Sequence, residues 1–205
     1  MALSKIDVAN MLTGTTPVAN GGTGVTTAAA LANTGNLVLL NSASSTVDIA
    51  QLDIDSTYIN STYDNYLMTL NILPATDAVI LKSRFFVGGS IHSSGYGRAV
   101  LRTDGGSYTV SANNADSQGE FQTNNLQGNG SGETQEIRLN IDNVNSTSFS
   151  TTVTHFSQLS ADTGSHLSMF GQYRLNDISL VPNGIRFYYS SGNISEYQYK
   201  LYGIK

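Results

Sequence analysis

From residue 35 to the last residue, apolar side chains recur at every second position in short runs, and turn-forming Gly, Pro, Asn or Asp residues punctuate them. Period two marks strands with one buried face and leaves no room for long amphipathic helices as the main elements. The runs are Asn36–Leu40, Val47–Asp53, Tyr66–Leu73, Val79–Val87, Tyr96–Arg102, Glu136–Val144, Phe149–Phe156, Leu167–Leu175, Ile185–Ser190 and Ile194–Ile204. Tyr66, Met68, Leu70 and Ile72 share one face of their run, as do Ile137, Leu139 and Ile141 of theirs. Leu81, Phe85 and Val87 oppose Lys82, Arg84 and Phe86. In the last run Tyr197, Tyr199, Leu201 and Gly203 oppose Gln198, Lys200, Tyr202 and Ile204. Leu73-Pro74-Ala75-Thr76-Asp77, Asp104-Gly105-Gly106, Asp162-Thr163-Gly164, Pro182-Asn183-Gly184 and Ser191-Gly192-Asn193 carry turn chemistry. Many short strands at roughly even spacing predict an all-β chain folded as an antiparallel β-sandwich, jelly-roll-like.

Two stretches depart from the alternation. Gly88–Tyr96 reads as a loop. Ser107–Gly132 is polar and rich in Gly and Asn, which predicts short strands with long connections and makes it a candidate binding loop.

Charged residues are only 12% of the 205, while Ser, Thr, Asn and Gly supply the polarity. That balance suits strands, turns and close chain–chain packing rather than a helical enzyme or a coiled coil. Net charge is −5, and Lys5 is the one basic residue before Lys82. Phosphate backbones and anionic membranes are bound through clustered Lys and Arg, so neither nucleic acid nor a membrane surface is an expected partner. With no Cys, the chain has neither disulfides nor thiolate metal sites. Met1–Leu12 lacks the long apolar run of a signal peptide, and no run approaches a membrane span.

The alternating body, residues 36–205, follows an arm of different character, residues 1–35. Leu3, Ile6, Val8, Met11 and Leu12 give the arm apolar side chains suited to docking on another protein. Pro17–Leu31 (PVANGGTGVTTAAAL) is uncharged and rich in Gly and Ala. Thr26 or Thr27 is placed to cap a short helix over Ala28–Asn33 that Gly35 stops. Small residues at this joint let several backbones approach closely around an axis, so a homotrimer is expected. The glycines are not a phosphate loop, because no Lys follows them and no apolar strand precedes them.

Pro17-Val18-Ala19-Asn20-Gly21-Gly22-Thr23-Gly24 resembles a motif that recurs in bacteriophage tail fibres and related virion appendages, ahead of a β-rich tip. Tyr199-Lys200-Leu201-Tyr202-Gly203-Ile204-Lys205, with Ile185-Arg186-Phe187 and Ser191-Gly192-Asn193-Ile194 before it, resembles the closing hairpin of a phage β-sandwich domain. Asp64–Asp77 (DNYLMTLNILPATD) resembles the early strand and turn of the same family. Repeated shaft segments, usual in fibres, are not visible. The resemblance implies a structural virion protein: a small tail fibre or fibre-like appendage whose oligomeric sandwich contacts a host surface glycan or receptor. Attachment and oligomerisation then fall to Pro17, Asn20, Gly21, Gly22 and Gly24, with other tail or capsid proteins as partners. A capsid decoration or head-fibre protein is the alternative, and a free carbohydrate-binding module a third reading.

No arrangement of residues signals catalysis, a metal or a cofactor, and a non-enzymatic role is expected. His92, His155 and His166 are far apart in sequence and lack ligand spacing. Asp53 and Asp55 begin like a calcium loop but lack its Gly and closing Glu. Asp104, Asp116, Glu120, Glu133, Glu136 and Asp142 are carboxylates with no spacing that sets two across a groove. Gly-x-Ser-x-Gly is absent. Tyr188, Tyr189, Tyr197, Tyr199 and Tyr202 gather near the C-terminus, some expected in the core and others outward, where rings can stack on sugars or line a subunit contact.

Overall fold

Two antiparallel sheets pack face to face in the computed structural model, which describes residues 36–205 apart from 105, 125, 126 and 162. The arm, its Gly-rich joint and the expected short helix lie outside the described residues. The chain divides into two units, Met1–Val38 and Leu39–Lys205; the second contains nearly everything described here.

The strands in chain order are β1 Leu37–Ser45, β2 Leu52–Ile54, β3 Asn65–Pro74, β4 Leu81–Val87, β5 Ser90–Ile91, β6 Tyr96–Asp104 and β7 Ser107–Asp116. There follow β8 Gly119–Glu120, β9 Gln135–Asp142, β10 Thr152–Ser160, β11 His166–Leu175, β12 Pro182–Tyr189 and β13 Ile194–Ile204. The larger sheet runs β1-β13-β3-β9-β10-β11-β6-β7, and the smaller runs β2-β12-β4-β5, with β8 also on β4. The set β1-β13-β3-β9 together with β2-β12-β4-β8 has jelly-roll connectivity, with the chain repeatedly crossing between sheets. Two inserted hairpins, β6–β7 and β10–β11, then widen the larger sheet beyond β9. No helix occurs among the described residues.

Alternation explains the core. Tyr66, Met68, Leu70 and Ile72 of β3, Ile137, Leu139 and Ile141 of β9, and Tyr199 and Leu201 of β13 all point inward. They meet Leu81 and Phe85 of β4 and Ile185, Phe187 and Tyr189 of β12 from the opposite sheet. Tyr173 and Tyr96 carry hydroxyls into this core and find partners there. The Ser83 hydroxyl donates to Tyr173 Oη at 2.6 Å. Tyr96 Oη accepts from the Phe85 amide and donates to the His92 carbonyl, and burial pushes its pKa up to about 12. Under the inserted hairpins a second cluster forms from Val100, Leu159, Ala161, Leu167 and Met169.

Several expectations shift. The last two runs are not a hairpin: β12 pairs with β2 and β4, whereas β13 pairs with β3 and lies between β1 and β3. The turn through Gly192, at φ +72°, carries the chain from one sheet to the other, so both strands bury aromatic residues in one core from opposite sides. Ser107–Asp116 is not a loop with short strands but a full ten-residue strand. Its side chains are polar because they are mostly solvent-facing, while its backbone is held by β6. Phe149 stays outside β10, since the Ser146 hydroxyl accepts from the amides of Ser148 and Phe149 and holds a turn there. Within Gly88–Tyr96, Ser90 and Ile91 pair with β4. Val47 is exposed rather than the start of a strand; Ile49 bridges Ile194, and the next strand begins at Leu52.

Candidate interaction surface

The two inserted hairpins give the larger sheet an outer face that the smaller sheet does not cover. Register determines which side chains share it. One row reads Thr69, Arg138, Phe156, Phe170, Leu101, Val110 across six strands. The next reads Asn71, Glu136, Gln158, Ser168, Thr103, Tyr108, and on the other side lie Asn140, Thr154, Gln172, Ala99, Ala112. Within the first row Phe156, Phe170, Leu101 and Val110 form an apolar band, with the row from Asn71 to Tyr108 on one side and Asn140, Thr154, Gln172 and two alanines on the other.

Phe170 is 53% exposed and packs on Phe156 with ring centroids 4.8 Å apart. Val110 and Tyr108, at 69% and 74%, are more exposed still. Scattered exposed apolar residues are ordinary, but a contiguous row flanked by polar side chains is the usual form of a contact surface. A shallow, open groove of about 370 Å³ lies along the polar row, lined by Gly132, Thr134, Glu136, Gln158, Ser160, His166 and Ser168. Another hollow beside Phe170 is lined by Leu101, Val110, Thr154 and Gln172. Flat aromatic rings beside carboxamides, a carboxylate and hydroxyls offer stacking together with directional hydrogen bonds, the two needs of a sugar or a peptide surface.

Of the candidate carboxylates, Asp116 and Glu120 are tied up in ion pairs beneath this face, Asp104 lies 3.8 Å from Arg102, and Glu133 accepts from the Gly130 amide. Arg98 bridges Asp116 and Glu120, its second contact 3.1 Å long, and also donates to the Ser111 hydroxyl. Lys82 approaches Glu120 at 3.6 Å. Arg84 donates to the Ser117 carbonyl and to Gln118, and its guanidinium lies over the Tyr188 ring. This network fastens β7 and β8 to β4 and β6. Asp53 is held bidentately by Arg186 at 2.7 Å. Asp55 accepts from the Thr57 amide, which lowers its pKa. Both Asp residues therefore have structural work. Glu136 lies on the outer face. Burial raises the pKa of Asp142, at the end of β9.

The histidines stay apart. His166 is exposed and its Nδ1 lies 3.0 Å from the Ser160 hydroxyl. His92 is half-buried beside Tyr96. His155 is only 5% exposed, edge-on to Phe121, with neither ring nitrogen hydrogen-bonded; burial pushes its pKa down to about 4. Among the described residues no group of His, Asp and Glu is placed to hold a metal ion.

The C-terminal tyrosines do not form the exposed aromatic surface. Tyr189 and Tyr199 are core, and Tyr188, Tyr197 and Tyr202 are half-buried. Pro17, Asn20, Gly21, Gly22 and Gly24 lie outside the described residues. The aromatic row escaped sequence reasoning, although one signal was present. Phe156 and Phe170 sit on the polar phase of their strands, out of step with Val153, Met169 and Tyr173. Neither the family models, nor the curated proteins, nor the solved structures compared with this chain match it.

Proposed function

We propose that this chain is a structural, non-enzymatic bacteriophage virion protein, a small tail fibre or fibre-like appendage. Residues 1–35 attach it to other virion proteins and gather it into a homotrimer, with Pro17, Asn20, Gly21, Gly22 and Gly24 at the joint. The sandwich then presents the outer face of its larger sheet to a glycan or protein on the host surface. The observation that supports the contact role is the row of Phe156, Phe170, Leu101 and Val110 between polar bands. The virion assignment is supported by the Gly-rich motif and the C-terminal LYGIK resemblance.

Immunogold labelling of particles with an antibody to the sandwich tests this reading. Label at the tail, with host adsorption lowered by a Phe156→Ser/Phe170→Ser variant, is the expected result. Label on the capsid would replace it with a decoration or head-fibre role. Absence from particles, with sugar binding by the free protein, would replace it with a carbohydrate-binding module.

A further inference from the structure

Edge strands expose a row of unpaired N–H and C=O groups, and proteins usually blunt them with lysine, proline, bulges or short length. The smaller sheet follows that rule. Its edge strand β2 is three residues long and carries the Arg186-bound Asp53, and β5 is two residues long. β7 does not. It is the last strand of the larger sheet, with no strand beyond it among the described residues. Ser107–Asn113 (SYTVSAN) contains no charge and no proline. Over that same stretch the register with β6 is unbroken, from Asp104↔Ser107 to Arg98↔Asn113, and it shifts only beyond.

We infer that β7 pairs antiparallel with β7 of a second copy of this chain, about a two-fold axis through Val110 and normal to the sheet. The unsatisfied backbone row calls for a strand, and this segment is complementary to itself about Val110. On the outer face Tyr108 lies opposite Ala112, a large ring against a small side chain, and Val110 meets Val110. On the inner face Thr109 lies opposite Ser111, and Ser107 opposite Asn113. No like charges oppose one another in this register, which matters for a chain of net charge −5. The apolar row Phe170–Leu101–Val110 then continues without a break into the row of the second copy. Tyr108 and Val110, the two most exposed large apolar residues of that surface, are the ones the pairing covers. The inference does not depend on the virion assignment.

The absence of cysteine from the sequence makes the test clean. In the full-length chain, single Tyr108→Cys, Val110→Cys and Ala112→Cys variants are oxidised mildly and run without reductant. Directly opposed residues have Cα atoms about 4.5–5.5 Å apart, within disulfide range, whereas a residue two positions from the axis is too far from its own copy. Val110→Cys is expected to link to itself. Tyr108→Cys and Ala112→Cys are expected to link only when mixed with each other. Val110→Lys places two ammonium groups on the axis, and its mass by light scattering should fall below that of the unmodified chain, to half where the pairing joins two copies or two closed assemblies of them. Equal masses for the two proteins, or no self-linking at Val110→Cys, would overturn the inference. So would preferential linking of Val110→Cys to Leu39→Cys on β1, the other edge of this sheet, since that contact is head-to-tail and makes rings or filaments instead of pairs.

Discussion

Gly171 stands directly across from His155 in the β10–β11 ladder, and the imidazole fills the space that a Cβ at position 171 would take. Val100 closes the same space from β6, its Cγ2 3.1 Å from that position. The glycine is there for close approach: it makes room for the imidazole between Phe121 of the main core and Val100 of the smaller cluster under the hairpins.

Gly171→Ala should therefore lower stability by about 1–3 kcal/mol, the usual cost of overpacking a filled core. Urea unfolding followed by circular dichroism reads the change as a lower midpoint at unchanged slope. Adding His155→Ala to Gly171→Ala should restore part of the loss, because the two sites are coupled through one volume. Full additivity of the two changes would mean that the ring does not occupy that space.

The same imidazole sets an acid limit. Folded, His155 has its pKa pushed down to about 4 by burial, against 6.5 for the free side chain. Between those values the unfolded chain binds the proton and the folded one does not, so stability falls as pH drops from 6.5 towards 4. A shift of that size corresponds to about 3 kcal/mol once both values are passed. His155→Leu should remove that part of the pH dependence. Asp142, raised by burial, acts in the opposite sense at lower pH, so the difference between the two proteins carries the signal. Identical pH profiles for both would exclude the buried neutral imidazole.

Arg98 neutralises Asp116 and Glu120, whose side chains are only 16% and 10% exposed. Arg98→Met leaves two poorly solvated carboxylates, with only Lys82 near one of them, and should cost about 2–4 kcal/mol. The triple change Arg98→Met, Asp116→Asn and Glu120→Gln should recover much of this, because the uncompensated charge is then gone. Calorimetric midpoints of the two variants make the comparison. A single variant as stable as the parent would show that the network contributes nothing to holding β7 and β8.

Removing Tyr197–Lys205 should abolish the cooperative unfolding transition. β13 is interior to the larger sheet, between β1 and β3, so its loss splits the sheet as well as exposing the core. Tyr199 and Leu201 are buried, each worth roughly 1.5–3 kcal/mol, and their sum approaches the lower end of a domain's stability of about 5–15 kcal/mol. A truncated chain that kept its thermal midpoint within a few degrees would contradict the interior placement of this strand.

The all-β class, most of the strands and their buried faces were legible in the sequence alone, because a side chain's face in a strand depends only on its own parity. Tyr66, Met68, Leu70 and Ile72 are inward for that reason, as are Leu81 and Phe85, and no knowledge of their partners was needed. Partnership was not legible. Ile185–Ser190 and Ile194–Ile204 are adjacent in sequence and look like a hairpin, yet they lie in opposite sheets, since Gly192 turns the chain across the core. Ser107–Asp116 looks like loop because its side chains face water, but hydrogen bonding to β6 is a backbone property that polarity does not report. The aromatic row illustrates the same limit: Phe156, Phe170, Leu101 and Val110 come from four separate segments, and only pairing register brings them side by side. Parity is local and written residue by residue, whereas neighbourhood across a sheet is decided by the whole chain at once.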